Sequence, residues 1–358
     1  MKWERFKWLI ILAFKWNKTA YPKTKWGVRL CLAAMASSFF SFGVVDIQFK
    51  NEFIVDTLNL TGQEPSLYSM YLSAFLALIG TALIYSEWNI KTRHTAKVLI
   101  SALPGMSDVF PDNILDSTEK AFCREAVTLG KGQDIEENIE LQIKRFNAEL
   151  EINIFKRFIL QEKGQRLYIG GLARIPFLVS YGTLLRNLSS ELFYFDKFHH
   201  KGEWQLLSCE NEKIEIIQKN EIDSVNENGD VGIVVNFTTE IKKHQLPSNV
   251  QEYVIEISPS IARERNLIKN QDNLQHISKN IGVIIDKLSA LPKCKRVHLF
   301  LSVQSSLAIE IGRRYQEGTH KKWIIHNYDA ESGRYHWALE LSKFGVVTYE
   351  YLDISKTN

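Results

Sequence analysis

Cysteine is scarce and scattered. Cys31, Cys123, Cys209 and Cys294 stand far apart with no CxxC or Cys/His spacing, which argues against a zinc site or a disulfide framework and fits a reducing compartment. Catalytic motifs are missing as well: the chain has no GxGxxG, Walker A, HExxH or GxSxG and no paired carboxylates at a known spacing. No enzymatic activity is therefore expected, and no metal or resident cofactor. His199-His200 sits in a polar loop and reads as a surface turn, and His298 lies inside an apolar strand as a hydrogen-bonded core residue. Disorder is excluded for the chain as a whole, because 358 residues with 45% apolar content suffice for one large or two modest cores.

Charge of one sign is absent from most of the chain. Residues 89–358 hold 35 basic and 35 acidic side chains, whereas residues 1–29 hold eight Lys/Arg against Glu4 alone. A neutral larger part lacks the continuous basic stripe that long nucleic acid requires, so no such partner is expected.

The basic segment 1–27 opens with "WERFKWLIILAFKW", too short to span a bilayer and rich in Trp and Lys/Arg, which predicts an interfacial helix. Two long apolar runs follow, 28–49 and 67–88, each about 33 Å long as a helix and so able to cross a hydrocarbon core. The alternative is a buried hairpin of a soluble core; two such runs joined by a short polar linker favour a transmembrane hairpin over 28–88. Arg29 flanks one outer end and Lys91, Arg93 and Lys97 the other, while Lys50 is the linker's one basic residue, so both termini are expected in the cytoplasm. Small residues recur every fourth position at Ala33, Ser37 and Ser41 and at Ser69, Ser73, Ala77 and Thr81. Such faces let helices approach closely, within one hairpin or between copies. A plain anchor and a self-associating segment both fit this pattern.

Beyond residue 88 strands alternate with helices. "KVLIS", "RLYIGG", "ELFYFDKF", "VGIVVNFT", "EYVIEIS", "RVHLFLS", "KWIIHNY" and "GVVTYEYL" read as strands, with amphipathic helices such as "NLQHISKNIGVIIDKLSAL" between some of them. This predicts an α/β region with a largely parallel sheet covered on both faces. One unit occurs twice: at a constant offset of 130, "RLYIGGLARIPFLVSYGTLL" (166–185) lies over "RVHLFLSVQSSLAIEIGRRY" (296–315), with Gly182 on Gly312. The register favours an internal duplication, and each mid-helix glycine is expected to permit close packing on the sheet.

The run "VHLFLSVQSSLAIEIGRRY" followed by "WIIHNYDAESGRYHWALEL" resembles the C-terminal signature of SAVED domains, which consist of two fused CARF-like, Rossmann-type halves; here these fall roughly at 97–215 and 230–358. With its N-terminal hairpin the chain resembles the transmembrane SAVED effectors of bacterial cyclic-oligonucleotide antiphage (CBASS) systems. That resemblance implies a multi-pass protein of the bacterial inner membrane, activated by a cyclic di-, tri- or tetranucleotide. It further implies a ligand-induced homo-oligomer whose hairpins disrupt the lipid bilayer. Self-cleavage of the ligand by positioning alone is a further option within CARF-like proteins. A membrane-tethered sensor or scaffold that recruits another protein is the alternative role.

In doubly wound sheets ligands lie at the carboxyl ends of the strands, which points to the turns at 171–176 and 302–306. Arg174 is the expected phosphate partner, beside the turn proline Pro176. Gln304 stands where many family members have proline, and with Ser305 and Ser306 it is expected to hydrogen-bond phosphate, ribose or base. Phe195, Tyr328 and Tyr335 are candidates to stack on bases. The competing roles are a helix cap for Ser306, a solvated turn cation for Arg174 and a core position for Phe195.

Overall fold

The computed structural model describes residues 22–41, 67–92, 95–103, 106–115, 123–130, 139–148, 166–186, 191–198, 202–208, 212–316, 318–342 and 345–349. The basic segment up to residue 21, residues 42–49 of the first apolar run, the linker 50–66 and His199-His200 lie outside the described residues. Two compact units result, Met1–Arg93 and His94–Asn358.

In the first unit, helix α1 (Pro22–Ser41) runs antiparallel to α2 (Leu67–Thr92). Their backbones meet where neither carries a side chain. A carbon added to Gly27 would stand 2.6 Å from the Gly80 carbonyl oxygen, and one added to Gly80 equally close to that of Gly27. Further along the seam Ser73 Oγ donates to Ala34 O at 2.8 Å, Cys31 Sγ contacts Ala77 O at 3.8 Å, and Glu87 accepts from the Thr24 amide near the start of α1. The seam therefore runs through Gly27, Cys31 and Ala34, which corrects the expected stripe: Ala33 is exposed, one position off the contact. Ser73 and Ala77 do pack, within the hairpin, while Thr81 is exposed with its hydroxyl bonded to Ala77 O. The side chains of Ser37, Ser41 and Ser69 lie outside the described residues. Tyr71, Leu72, Phe75, Leu78, Tyr85 and Trp88 project outward from α2, and Trp26, Leu32 and Met35 from α1. Among the described residues one helix, Met70–Trp88, is long and apolar enough to cross a membrane.

The second unit contains two sheets of the same winding. The first has strand order β2-β1-β3-β4-β5, formed by Thr95–Ser101 (β1), Cys123–Leu129 (β2), Arg166–Leu172 (β3), Glu191–Phe198 (β4) and Glu203–Leu206 (β5). β1 to β4 are parallel and β5 is antiparallel. The second sheet comprises Ile216–Gln218 (β6), Asp230–Asn236 (β7), Val254–Pro259 (β8), Arg296–Ser302 (β9), Lys322–Asp329 (β10), Arg334–Ser342 (β11) and Gly345–Tyr349 (β12). Its order is β12-β11-β10-β9-β7-β8-β6, so β8-β7-β9-β10-β11 repeats the arrangement of the first sheet. The fold is thus mixed α/β with two Rossmann-type halves. Parallel strands buried on both faces need continuous apolar runs, and β7 and β9 supply them with Val231, Ile233, Val235, Val297, Leu299 and Leu301.

Among the described residues this unit also has four α-helices: α3 (Ile139–Asn147), α4 (Ile175–Thr183), α5 (Gln271–Ser289) and α6 (Ser305–Arg313). α5 starts at Asn270, whose side chain accepts from the Asn273 amide at 2.7 Å, and buries Leu274, Ile277, Ile281, Ile285 and Leu288 along one stripe. The duplicated glycines pack differently from the sequence expectation. α4 and α6 cross each other there: a carbon added to Gly182 would lie 2.0 Å from Ile309 O, and one added to Gly312 would lie 1.9 Å from Val179 O. Val179 and Ile309 are themselves related by the offset of 130. The two copies meet across a local twofold whose axis passes between the glycines.

Candidate functional site

The two equivalent turns, after β3 and after β9, have different fates. In the first, the backbone at Arg174 is extended (φ −61°, ψ 141°) and its carbonyl accepts from Phe177 N at 3.0 Å and Leu178 N at 3.2 Å, opening α4 with Pro176 in its first turn. Pro176 itself is buried. Among the described residues no side chain caps this helix end. A cleft of about 520 Å³ lies beside it, lined by Ala173, Arg174 and Ile175, by Leu301 of β9, by Ile139 of α3, and by Asn327, Tyr328, Asp329, Glu331 and Trp337 of the β10–β11 hairpin. The Arg174 guanidinium sits 5.8 Å from the centre of the Trp337 ring, a cation over an aromatic face. Tyr328 is 45% exposed at the rim.

At the second turn the helix end is already occupied. Asp196, at the end of β4 in the other half and 2% exposed, accepts from the Ser306 amide at 3.0 Å, from the Ser306 hydroxyl and from Gln304 Nε2 at 2.8 Å. Gln304 also clamps residue 268, accepting from Ile268 N at 2.9 Å and donating to Ile268 O at 2.9 Å. Burial pushes the Asp196 carboxyl up, against the pull of these hydrogen bonds. A carboxylate at the positive end of α6 takes the place an anionic ligand would fill. Tyr194 of β4 likewise donates to Glu310 of α6, a second polar tie between the halves.

Six of the eight expected contact residues are therefore placed elsewhere. The side chains of Gln304 and Ser306 are used in the seam between halves, and Ser305 is the first residue of α6, half-buried beside them. Phe195 is fully buried, edge-on to Phe110 at 5.2 Å and to Trp204 at 5.5 Å, and so is core. Tyr335 is 5% exposed against Phe300 at 5.3 Å, which removes it as a stacking platform. Pro176 shapes α4 from within the core. Arg174 and Tyr328 are the two the structure brings together at the cleft.

Trp337, Asn327 and Glu331 were missed although all three lie inside the quoted signature. Strand alternation puts Trp337 on the same face as the buried Tyr335, but the pairing shifts from Asn327↔Trp337 to Tyr328↔Tyr335, so residue 336 is an extra residue in β11. This bulge turns Trp337 to the opposite face, toward Arg174 and Phe177.

Away from the cleft, the second sheet buries a chain of titratable groups. Asp230 accepts from Arg296 Nε and stands 3.5 Å from His298 Nε2, while His298 Nδ1 and His326 Nε2 share a hydrogen bond of 2.8 Å. Burial alone would raise the Asp230 carboxyl, but the hydrogen bonds and positive charge of His298 and Arg296 outweigh it and hold it at about 2. Burial lowers His298, and lowers His326 well below the usual histidine range. His298 is thus a core histidine with a partner, as the sequence suggested. Among the described residues no cluster of His, Cys, Asp or Glu is arranged to hold a metal ion.

The chain is similar in fold to the Acinetobacter baumannii Cap4 SAVED/CARF-domain containing receptor with the cyclic trinucleotide 2'3'3'-cAAA, at 14% identity and a TM-score of 0.45 over 75% of this chain and 58% of that one. The same receptor with 3'3'3'-cAAA gives 13% and 0.45 over 77% and 60%. The Moraxella osloensis Cap4 SAVED/CARF-domain containing receptor gives 12% and 0.40 over 78% and 59%. The chain thus spans less than two thirds of the length of these receptors. No curated protein matches it. Residues 152–341, more than half of the chain, match the family model described as "SMODS-associated and fused to various effectors sensor domain". With the duplicated α/β halves and their crossing helices, that match shows that the chain belongs to the SAVED family.

Proposed function

We propose that the protein is a membrane-anchored antiphage effector. In this reading the region 89–358 is the sensor and binds a cyclic di-, tri- or tetranucleotide in the cleft beside Arg174. Copies then assemble on the ligand, and the hairpin 28–88, preceded by the basic interfacial segment 1–27, disrupts the bacterial inner membrane. Both termini face the cytoplasm, and no step requires the protein to break a bond.

The observation that carries the reading is Arg174 lying over Trp337 at the start of α4, the duplicated helix that no described side chain caps. A phosphate finds a guanidinium and the Ile175 amide there, and a base finds aromatic faces at Trp337 and Tyr328. The exposed apolar face of α2 supports the membrane role, since a run of this length and composition is poorly suited to water. The test is a native mass-spectrometry and thermal-shift screen of the full chain in nanodiscs against cyclic di-, tri- and tetranucleotides, with dye entry followed in cells. Wild-type binding that Arg174→Ala weakens at least tenfold, together with ligand-dependent dye entry, supports the reading. Absence of binding to every ring rejects it.

A membrane-tethered sensor or scaffold that recruits another protein is the second reading. It is favoured by the hairpin seam, where Gly27, Gly80, Ala34 and Ser73 are taken up within one chain and are not left for a neighbour. Fusing the hairpin to a constitutive oligomeriser discriminates: dye entry supports the effector, and intact membranes support the tether.

A further inference from the structure

Among the described residues the cleft is lined by one guanidinium but two carboxylates, Asp329 and Glu331, which an anionic ligand has no evident use for. The turn between β10 and β11 separates their roles. Asp329 points its carboxylate back into the turn, where Oδ2 accepts from Ser332 N at 3.0 Å, and its carbonyl accepts from Gly333 N at 3.0 Å. Gly333, at φ +66°, lets the chain close into β11. Glu331 sits at the tip of this braced turn, exposed, and among the described residues no cation lies within ion-pairing distance of its carboxylate. Asn327 lines the same wall with Nδ2 donating to Tyr328 O at 3.0 Å, which leaves its Oδ1 as an acceptor.

Phosphate is repelled from this wall and drawn to the Arg174 side, so what meets Glu331 is a base edge that donates. We infer that Glu331 selects guanine, taking its N1–H and N2–H on the two carboxylate oxygens while the ring rests against Tyr328 or Trp337. This rests on the cyclic-oligonucleotide reading of the cleft. The chemistry of the bases decides between them. Guanine presents two adjacent donors that match a carboxylate, as Asp or Glu side chains match paired N–H groups elsewhere. Adenine presents one donor beside an acceptor, and uracil one donor flanked by two carbonyl oxygens that a carboxylate repels. A bidentate contact of this kind discriminates by about tenfold or more.

The test uses the full chain in nanodiscs and three matched rings: the all-adenine cyclic trinucleotide and its variants with one adenine replaced by guanine or by uracil. The guanine ring is expected to bind at least about tenfold more tightly than the uracil ring, with the adenine ring between them. Glu331→Gln, at an exposed position, should leave the melting temperature of the unliganded protein unchanged and shrink the guanine-to-uracil ratio to about threefold or less. Equal or tighter binding of the uracil ring, or an unchanged ratio in Glu331→Gln, overturns the assignment while leaving the cleft as the ligand site. Failure of all three rings to bind, with Arg174→Ala silent as well, rejects the parent reading and this one with it.

Discussion

Gln304 Nε2 lies 2.8 Å from Asp196 Oδ2, across the seam between two halves of repeated topology. The equivalent of Gln304 in the other half is Arg174, which faces an open cleft. One turn ties the two halves together and the other borders the cleft.

The two turns should therefore separate stability from binding. Asp196→Ala removes the acceptor for the Ser306 amide, the Ser306 hydroxyl and Gln304, all buried, and is expected to cost about 2–4 kcal/mol of stability. Arg174→Ala is expected to leave stability within about 0.5 kcal/mol and to weaken ligand binding by about 1.5–3 kcal/mol. Urea denaturation and ligand titration of both variants check the pair; a ligand defect without a stability defect in Asp196→Ala would reverse the assignment.

The helix crossing makes a second, sharper demand. At Gly182 and Gly312 an added methyl meets backbone oxygen at 2.0 and 1.9 Å, and backbone cannot swing aside as a flexible side chain can. Each Gly→Ala change is expected to destabilise by about 1–3 kcal/mol despite alanine's better helix propensity. The double variant should cost less than the sum, because both methyls separate the same two helices. Thermal or chemical melts of the single and double variants measure this; a stabilised Gly182→Ala contradicts the crossing.

Acid should weaken the second sheet in two stages. His298 and His326 titrate below their unfolded value near 6.5, so as pH falls through that value the unfolded chain takes up protons that the folded chain refuses. Their contribution is present above about 6.5 and declines below it. Asp230, held at about 2 against an ordinary 3.8, contributes above 3.8 and loses that contribution as pH falls toward 2. Replacing His326 by Phe, which stacks on Phe300 without titrating, should flatten the first stage in melts recorded from pH 7.5 to 5; an unaltered pH profile removes the histidine pair as its cause.

Within the hairpin, Cys31 faces Ala77. With the other three cysteines changed to serine, Ala77→Cys is expected to cross-link with Cys31 inside a single chain under mild oxidation, seen as a monomer of altered gel mobility. Adding Gly80→Leu should suppress that cross-link by pushing the helices apart. Covalent dimers in place of the altered monomer would show that the small-residue face pairs copies.

Much of the framework was legible because buried parallel strands announce themselves as unbroken apolar runs, and because Arg166, Gly182 and the strand at 193–198 recur 130 residues later. The partners of those features were not. The sequence gives Gly182 a need for close approach without saying that another glycine helix, and not the sheet, is what approaches. Gln304 and Arg174 occupy equivalent positions, and only Asp196, far away along the chain, sends them to different tasks. Phe195 and Tyr335 look like stacking residues in a list of aromatics, yet a strand residue's face depends on register, and the single extra residue in β11 decides that Trp337 and not Tyr335 reaches the cleft. Strands β2, β5, β6 and β11 were overlooked; β5 and β6 are short, at four and three residues.

The bulge in β11 also sets how substitutions will be tolerated. Deleting residue 336 would restore regular pairing and leave Trp337 opposite Asn327 and still facing Arg174, because the pairings on either side of the bulge already put Tyr335 and Trp337 on opposite faces. A mutational scan of this hairpin should then show an unusual signature. Deletion of residue 336 would preserve both solubility and ligand response, whereas replacement of Trp337 by a small side chain would preserve solubility and weaken the response.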